Sequence, residues 1–247
     1  MSEVIKPKIS LLLLTFDRYQ MTKYTLTNLL AKAGYSDFEL LILDNGSADS
    51  RTTCLTAEKD FPAVQSGSLI TEQTNIGIAA GYNKLLKKAK GDYIVFLTND
   101  ILLGDNWLVD LLHYNNEVDK AGLTTIFLEG EKGYFTKQLT DKDDFIYVWK
   151  PTNNITSGVS MISRLALEAV GGFDETLGIY GKERDQYAHR LSMLGYNNFY
   201  IPGQCSTHLG RDLNEDSDYR HKKDKALQLS SNRYKESIKS KDYHIAL

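Results

Sequence analysis

The chain has 247 residues, 42% of them hydrophobic, which is enough for one sizeable core or a core with an appendage. Lys and Arg number 29 against 32 Asp and Glu, a net charge of -3, so no global positive field draws the chain to nucleic acid or an anionic membrane. Cys54 and Cys205 lie far apart and outside any CxxC or Cys/His cluster, which reads as two ordinary thiols rather than a disulfide or zinc framework.

Ser2, Glu3 and Lys6 precede the first apolar run, Ile9 to Leu14, which is too short for a signal sequence or a membrane span. A soluble, cytoplasmic chain is expected. Ile9 to Thr15 reads as a buried strand, and Leu26, Leu29, Leu30 and Ala33 then mark one face of a helix closed by Gly34. Phe38 to Leu43 is a second buried strand, followed by a helix over 47–61 for which Ser47 or Asp49 offers a cap. A third strand near 68–72 leads through Asn75-Ile76-Gly77 into a helix whose stripe is Tyr82, Leu85, Leu86 and Ala89. The fourth, Asp92 to Asp100, is an apolar strand that ends abruptly in a carboxylate. Strands alternating with helices of this length predict an α/β fold with right-handed crossovers and a mainly parallel sheet.

Beyond this point a helix is expected over 105–115, a short strand at 123–127 and an excursion or hairpin over 129–144. Strand character returns over 155–163, Gly171-Gly172-Phe173-Asp174 is a turn, and Glu183 to Leu194 is a helix with Tyr187, Leu191 and Leu194 inward. Tyr200-Ile201-Pro202 closes the core. The last stretch is charged and mixed, and a solvated helix packed by Ala226, Leu227 and Leu229 is expected there. These signals divide the chain into a main domain, 1–210, and a helical extension, 211–247, packed on the same domain.

Four strand ends carry polar clusters: Thr15-Phe16-Asp17-Arg18, Asp44-Asn45-Gly46-Ser47, Thr74-Asn75-Ile76-Gly77 and Thr98-Asn99-Asp100. Ligands of open α/β sheets bind where loops leave the carboxyl ends of the strands, so four such clusters in order sketch one site. Taken singly, each is also a turn or a helix cap. A strand-end carboxylate suits Mg²⁺ or Mn²⁺, hard ions that accept carboxylate, water and phosphate oxygens, and Asp100 fits that role.

As a set, these motifs resemble the family 2 glycosyltransferases of the GT-A fold, over roughly residues 8 to 210. Ile9 to Arg18 resembles the family's first strand and its T-[FY]-[ND]-R turn, and Leu41 to Asp49 resembles V-D-[DN]-G-S-x-D. Asn75 to Asn83 resembles N-x-G-x-A-x-G-x-N, typical of the rhamnosyltransferase-like branch. The resemblance implies a Rossmann-like central sheet flanked by helices and a UDP- or dTDP-sugar donor. Thr15, Phe16, Arg18 and Asp44 would surround its base and ribose, with Asn75 and Gly77 lining the same pocket. Thr98-Asn99-Asp100 would occupy the metal-binding position, with Asp100 as ligand, Thr98 at most a ribose or sugar contact, and Asn99 beside it. His208 would be the late histidine that reaches the metal.

Gly171 to Glu175 matches the family's G-G-F-D-E turn, which lies beside donor sugar and acceptor. From Glu183 to Tyr196 the match is to E-D-x-D-x-x-x-R-x-x-x-x-G-Y, in which Glu183, Arg190, Gly195 and Tyr196 agree. Arg184 and Gln186 replace two acids, and Asp185 falls between them. In inverting members the second acid is usually the general base, which leaves Glu183 or Asp185 for that role. Asp185 is preferred because it can reach where the missing acid would sit, although either residue can instead cap the helix.

The resemblance implies an inverting, metal-dependent glycosyltransferase acting on an acceptor hydroxyl, most commonly on a glycan. The basic run from Arg220 to Lys225 also allows a hydroxylated DNA base, as in phage-type DNA modification, although interspersed acids dilute it. A nucleotidyltransferase would need a glycine-rich phosphate loop after the first strand, and Phe16-Asp17-Arg18-Tyr19 lacks the glycines. A non-catalytic nucleotide-sugar-binding module is the remaining reading, opened by Arg184.

Overall fold

The computed structural model describes residues 8–48, 69–128, 158–209, 217–239 and 243–247. Strands β1 (Ile9–Thr15), β2 (Phe38–Asp44), β3 (Leu69–Thr71) and β4 (Tyr93–Thr98) run parallel in the order β3-β2-β1-β4. Helices α1 (Tyr19–Lys32) and α2 (Ile78–Leu86) provide crossovers within this half. The predicted helix over 47–61 lies outside the described residues from 49 onward.

Six more elements build the second half: β5 (Ile101–Leu102), α3 (Trp107–Glu117), β6 (Ala121–Leu128), β7 (Val159–Ser163), α4 (Arg164–Val170) and α5 (Glu183–Met193). They are followed by β8 (Asn197–His208) and α6 (Ser217–Ser237). The sheet continues β4-β7-β6-β8-β5, with β7 antiparallel to both neighbours, β6 parallel to β8, and β5 antiparallel to β8. It is therefore mixed but mostly parallel, as the alternation of strands and helices predicted.

Unbroken apolar runs mark strands covered on both faces. Along β1, Ile9, Leu11 and Leu13 enter one core with Leu26, Leu29, Trp107 and Leu111 of α1 and α3. Leu12 and Leu14 enter the other with Tyr82, Leu85, Leu167, Tyr187 and Leu191 of α2, α4 and α5. Two apolar layers thus clamp the sheet, and its carboxyl edge carries the polar loops.

Two expectations need correction. The sequence reading placed no helix between the strand ending at Ser163 and the Gly171 turn, yet α4 forms there, its first turn held by Ser163 Oγ accepting from Ala166 N at 3.2 Å. Of the predicted strand over 155–163, Val159–Ser163 is strand, while 155–157 and the excursion over 129–144 lie outside the described residues. In α6, Leu229 is 49% exposed and does not pack as expected, while Leu227, 38% exposed, lays its Cδ1 against Gly181. Polar contacts dock this helix as well: Ser230 Oγ donates to the Gly181 carbonyl, and Arg233 Nη1 donates to the Thr176 carbonyl at 2.9 Å.

Candidate active site

The register of β1 against β2 places Thr15 beside Asp44, and Asn45 N donates to Thr15 O at 2.8 Å. Asp44 is 2% exposed; its Oδ1 accepts from Ser47 N at 3.0 Å and from Ser47 Oγ, so half of the carboxylate closes the turn. Oδ2 accepts from no described residue. The loop after β1 is held against the same turn, with Asp17 N donating to Ser47 Oγ at 2.7 Å and Ala48 N to Asp17 Oδ1 at 2.9 Å. Phe16 and Arg18 are half-buried beside it, and Arg18 adopts a left-handed φ of 55°.

Asn45, which the motif contained but to which sequence reasoning gave no role, latches the third cluster. Its Oδ1 accepts from Ile76 N at 3.0 Å, and its Nδ2 donates to Asn75 Oδ1 at 3.1 Å and to Gly77 O at 3.2 Å. Asn75 Oδ1 also accepts from Gly77 N at 2.9 Å. Gly46 is obligatory here: its φ is +80°, and a Cβ would lie 2.4 Å from the Thr74 carbonyl carbon. Thr15 and Asn99 are engaged with each other. Asn99 Nδ2 donates to Thr15 Oγ1 at 3.0 Å and Thr22 Oγ1 at 2.9 Å, so these two polar groups shape the pocket floor.

The two-residue ladder of β5 against β8 pairs Ile101 with His208, and Leu209 N donates to Asp100 O at 2.8 Å. These backbone bonds bring His208 Nε2 to 3.2 Å from Asp100 Oδ2, with the side chains 30% and 19% exposed. Burial alone would raise the Asp100 carboxyl, but the hydrogen bond and charge of His208, with Thr98 and Arg18, hold it below the usual carboxylate value. Thr98 lies beside it, its buried hydroxyl making no close hydrogen bond of its own. A hard carboxylate oxygen and an imidazole nitrogen converging on one point fit Mn²⁺ or Mg²⁺. No cluster of three His, Cys, Asp or Glu exists among the described residues, so water and substrate oxygens would complete the shell.

Helix α5 starts at Glu183 behind Lys182, whose φ is 63°, and its first turn carries Glu183, Arg184 and Asp185. Glu183 is 4% exposed, its Oε1 has no hydrogen-bond partner, and burial pushes its carboxyl up to about 7 despite backbone N–H groups and Arg184. Arg184 Nη2 donates to Tyr82 Oη at 3.4 Å. Asp185 pairs with Lys182 Nζ at 2.8 Å, and the Tyr234 hydroxyl of α6 is pushed up by its burial and, secondarily, by the Asp185 charge. Tyr82 senses Arg184, Asp100 and Glu183 together. Glu183 and Arg184 therefore share the β4 side with Asp100, and Asp185 faces α6.

The family model described as Glycosyl transferase family 2 matches residues 10–170, more than half of the chain. The chain belongs to glycosyltransferase family 2. Two curated relatives are the O-antigen biosynthesis protein RfbC of Myxococcus xanthus and the poly(ribitol-phosphate) beta-N-acetylglucosaminyltransferase TarP of Staphylococcus aureus. The first is 26% identical over 72% of this chain and 15% of its own length; the second is 31% identical over 56% and 44%. The chain thus spans less than half of either relative. Among solved structures, the mannosyltransferase PcManGT of Pyrobaculum calidifontis, in complex with GDP-Man and Mn²⁺, superposes with a TM-score of 0.72 at 17% identity. The match covers 97% of this chain and 66% of that one. This likeness establishes the GT-A fold.

Several motif residues of this family 2 chain serve as ties. Asn83 Nδ2 donates to Phe173 O at 3.0 Å and Glu175 Oε1 at 2.8 Å, while its Oδ1 accepts from Phe173 N at 2.8 Å, fastening α2 to the G-G-F-D-E turn. Arg190, 2% exposed, donates to the carbonyls of Val170 at 2.7 Å and Gly172 at 2.5 Å and to Gln186 Oε1 at 3.0 Å. The C-terminal tail completes this knot, with Gly172 N donating to Ile245 O at 2.7 Å. Arg190→Met is expected to lower stability by about 3 kcal/mol in urea denaturation, because two buried carbonyls lose their donors at roughly 1–3 kcal/mol each. A loss under about 1 kcal/mol would show that the turn is held mainly by other contacts.

Proposed function

We propose that the chain transfers a glycosyl unit, with inversion, from a UDP- or dTDP-sugar to a hydroxyl of a glycan. The observation that carries this reading is the approach of Asp100 and His208 to 3.2 Å at the carboxyl edge of the sheet, beside the Asp44 and Asn75-Gly77 pocket. Asp44 Oδ2 would accept from a ring N–H of uracil or thymine, with Phe16 and Arg18 on the same loop side. Asp100 and His208 would hold Mn²⁺ or Mg²⁺, whose chemistry there is to neutralise the diphosphate as it departs.

Glu183 takes the proton of the acceptor hydroxyl as the anomeric carbon gains oxocarbenium character. A carboxyl group near 7 with an unpartnered oxygen suits a general base at neutral pH. Asp185, the residue preferred on sequence alone, is engaged by Lys182 and turned toward α6. The names of the relatives, one concerned with O-antigen and one with poly(ribitol-phosphate), support a surface polysaccharide as acceptor.

The test is release of nucleoside diphosphate from a panel of UDP-, dTDP- and GDP-sugars with Mn²⁺ or Mg²⁺, with and without oligosaccharide acceptors. Turnover of UDP- or dTDP-sugars that requires the cation and inverts the anomeric centre is the expected result. Absence of both binding and turnover across the panel would end the enzyme reading. Filter retention of duplex DNA across a salt series is expected to be absent; retention that falls steeply with salt would favour a DNA acceptor.

A further inference from the structure

We propose that Arg184 is a catalytic residue that grips the distal phosphate of the donor's diphosphate. This inference rests on the glycosyltransferase reading and deepens it. The guanidinium cannot act as a base, because it stays protonated throughout the working pH range, so its place in the site has to be explained by binding.

Its location follows from one short chain of contacts. Tyr82 is wholly buried under the end of β4, where its hydroxyl donates to Leu97 O at 2.9 Å. Arg184 Nη2 reaches that hydroxyl at 3.4 Å, so the guanidinium is tethered beneath the strand whose next residues are Thr98, Asn99 and Asp100. The same tyrosine hydroxyl, raised chiefly by its burial, also feels the charges of Asp100 and Glu183. Arg184 Nη1 is buried with no hydrogen-bond partner, and the adjacent Glu183 Oε1 is equally unpartnered. A charged group with one buried nitrogen left without an acceptor is a group whose remaining partner arrives with the substrate.

An anion is the partner that a guanidinium fork matches best, and phosphate oxygens accept its paired N–H groups side by side. The nucleoside end of the donor has its own cluster at β1 and β2, where Asp44 and Asn45 organise the turns. Arg184 enters from α5, on the β4 side with Asp100, which corresponds to the far end of a diphosphate rather than its nucleoside-proximal phosphate. A second positive charge there would stabilise the leaving group as its bond to the sugar breaks and the electron pair passes to the phosphate oxygen.

Calorimetric titration of UDP, UMP, dTDP and dTMP, with MnCl₂ and with EDTA, into wild type, Arg184→Met and Arg184→Lys tests this. Arg184→Met should lose at least about tenfold in affinity for the diphosphates while monophosphate affinity stays within about twofold, and Arg184→Lys should recover part of the loss. Unchanged diphosphate binding in Arg184→Met would overturn the proposal. An equal loss for both nucleotide classes together with a lower melting temperature would also overturn it, in favour of a structural role. If wild type binds none of the four nucleotides, the donor reading falls and takes this proposal with it.

Discussion

Asp100→Ala is expected to reduce glycosyl transfer about a thousandfold, roughly 4 kcal/mol of transition-state stabilisation, and to abolish the dependence of donor binding on Mn²⁺. The size of the effect follows from the geometry. Asp100 is the only acid at the end of β4, and among the described residues His208 is the other candidate ligand that the β5–β8 ladder brings to it. Removing the carboxylate leaves an imidazole alone, which cannot offset a divalent charge. The substitution should spare the fold, because the contacts that place the two residues are main-chain bonds: Leu209 N to Asp100 O and the pairing of Ile101 with His208. Asp100→Asn retains the shape and loses the charge, so it should resemble Asp100→Ala in turnover. His208→Ala is expected to be milder, since the carboxylate survives. Turnover and calorimetric Mn²⁺ binding check this series, and wild-type metal dependence in Asp100→Ala would remove Asp100 from the metal role.

The parallel half of the fold was legible because its strands are covered on both faces. Leu11 to Leu14 and Ile94 to Leu97 have no solvent side, and they read as unbroken apolar runs ending in polar turns. α4 was not legible, since seven residues give barely two turns and no periodic stripe. α6 misled for a different reason. Leu227 and Leu229 both look like anchors by composition, but Leu227 lies against Gly181 while Leu229 is 49% exposed, and the carbonyls of Gly181 and Thr176 draw in Ser230 and Arg233, which the apolar pattern does not mark.

The site divides in the same way. Asp44, Asn75 and Asp100 sit at strand ends, where topology makes position readable. The latch of Asn45 across to Ile76 and Gly77, and the direction of each side chain in the first turn of α5, depend on packing between segments distant in sequence. Glu183 and Asp185 are two residues apart and both acidic, and only their surroundings separate them: a dry pocket for one, Lys182 and α6 for the other.

Those surroundings give Glu183→Gln two effects of opposite sign. In activity, loss of the base is expected to cost about 10²- to 10⁴-fold in turnover, with donor affinity little changed. Wild-type activity should rise with pH through about 7 as the carboxyl ionises, then level off. In stability the sign reverses. Burial raises the folded value from 4.5 to about 7, so the native state holds a proton that the unfolded chain has released. The resulting stabilisation is fully present below about pH 4.5 and is lost as pH rises through about 7, some 3 kcal/mol at about 1.4 kcal/mol per pH unit. Glutamine is neutral at every pH and keeps the shape, so the variant should lack this slope and be the more stable protein at pH 8. Urea denaturation of both proteins between pH 4 and 8, alongside turnover, reads the two effects together. A Glu183→Gln enzyme that kept its activity while Asp185→Asn lost it would return the base to Asp185. If the variant lost activity yet shared the wild-type stability slope, the buried unpartnered carboxyl would not be the group that titrates.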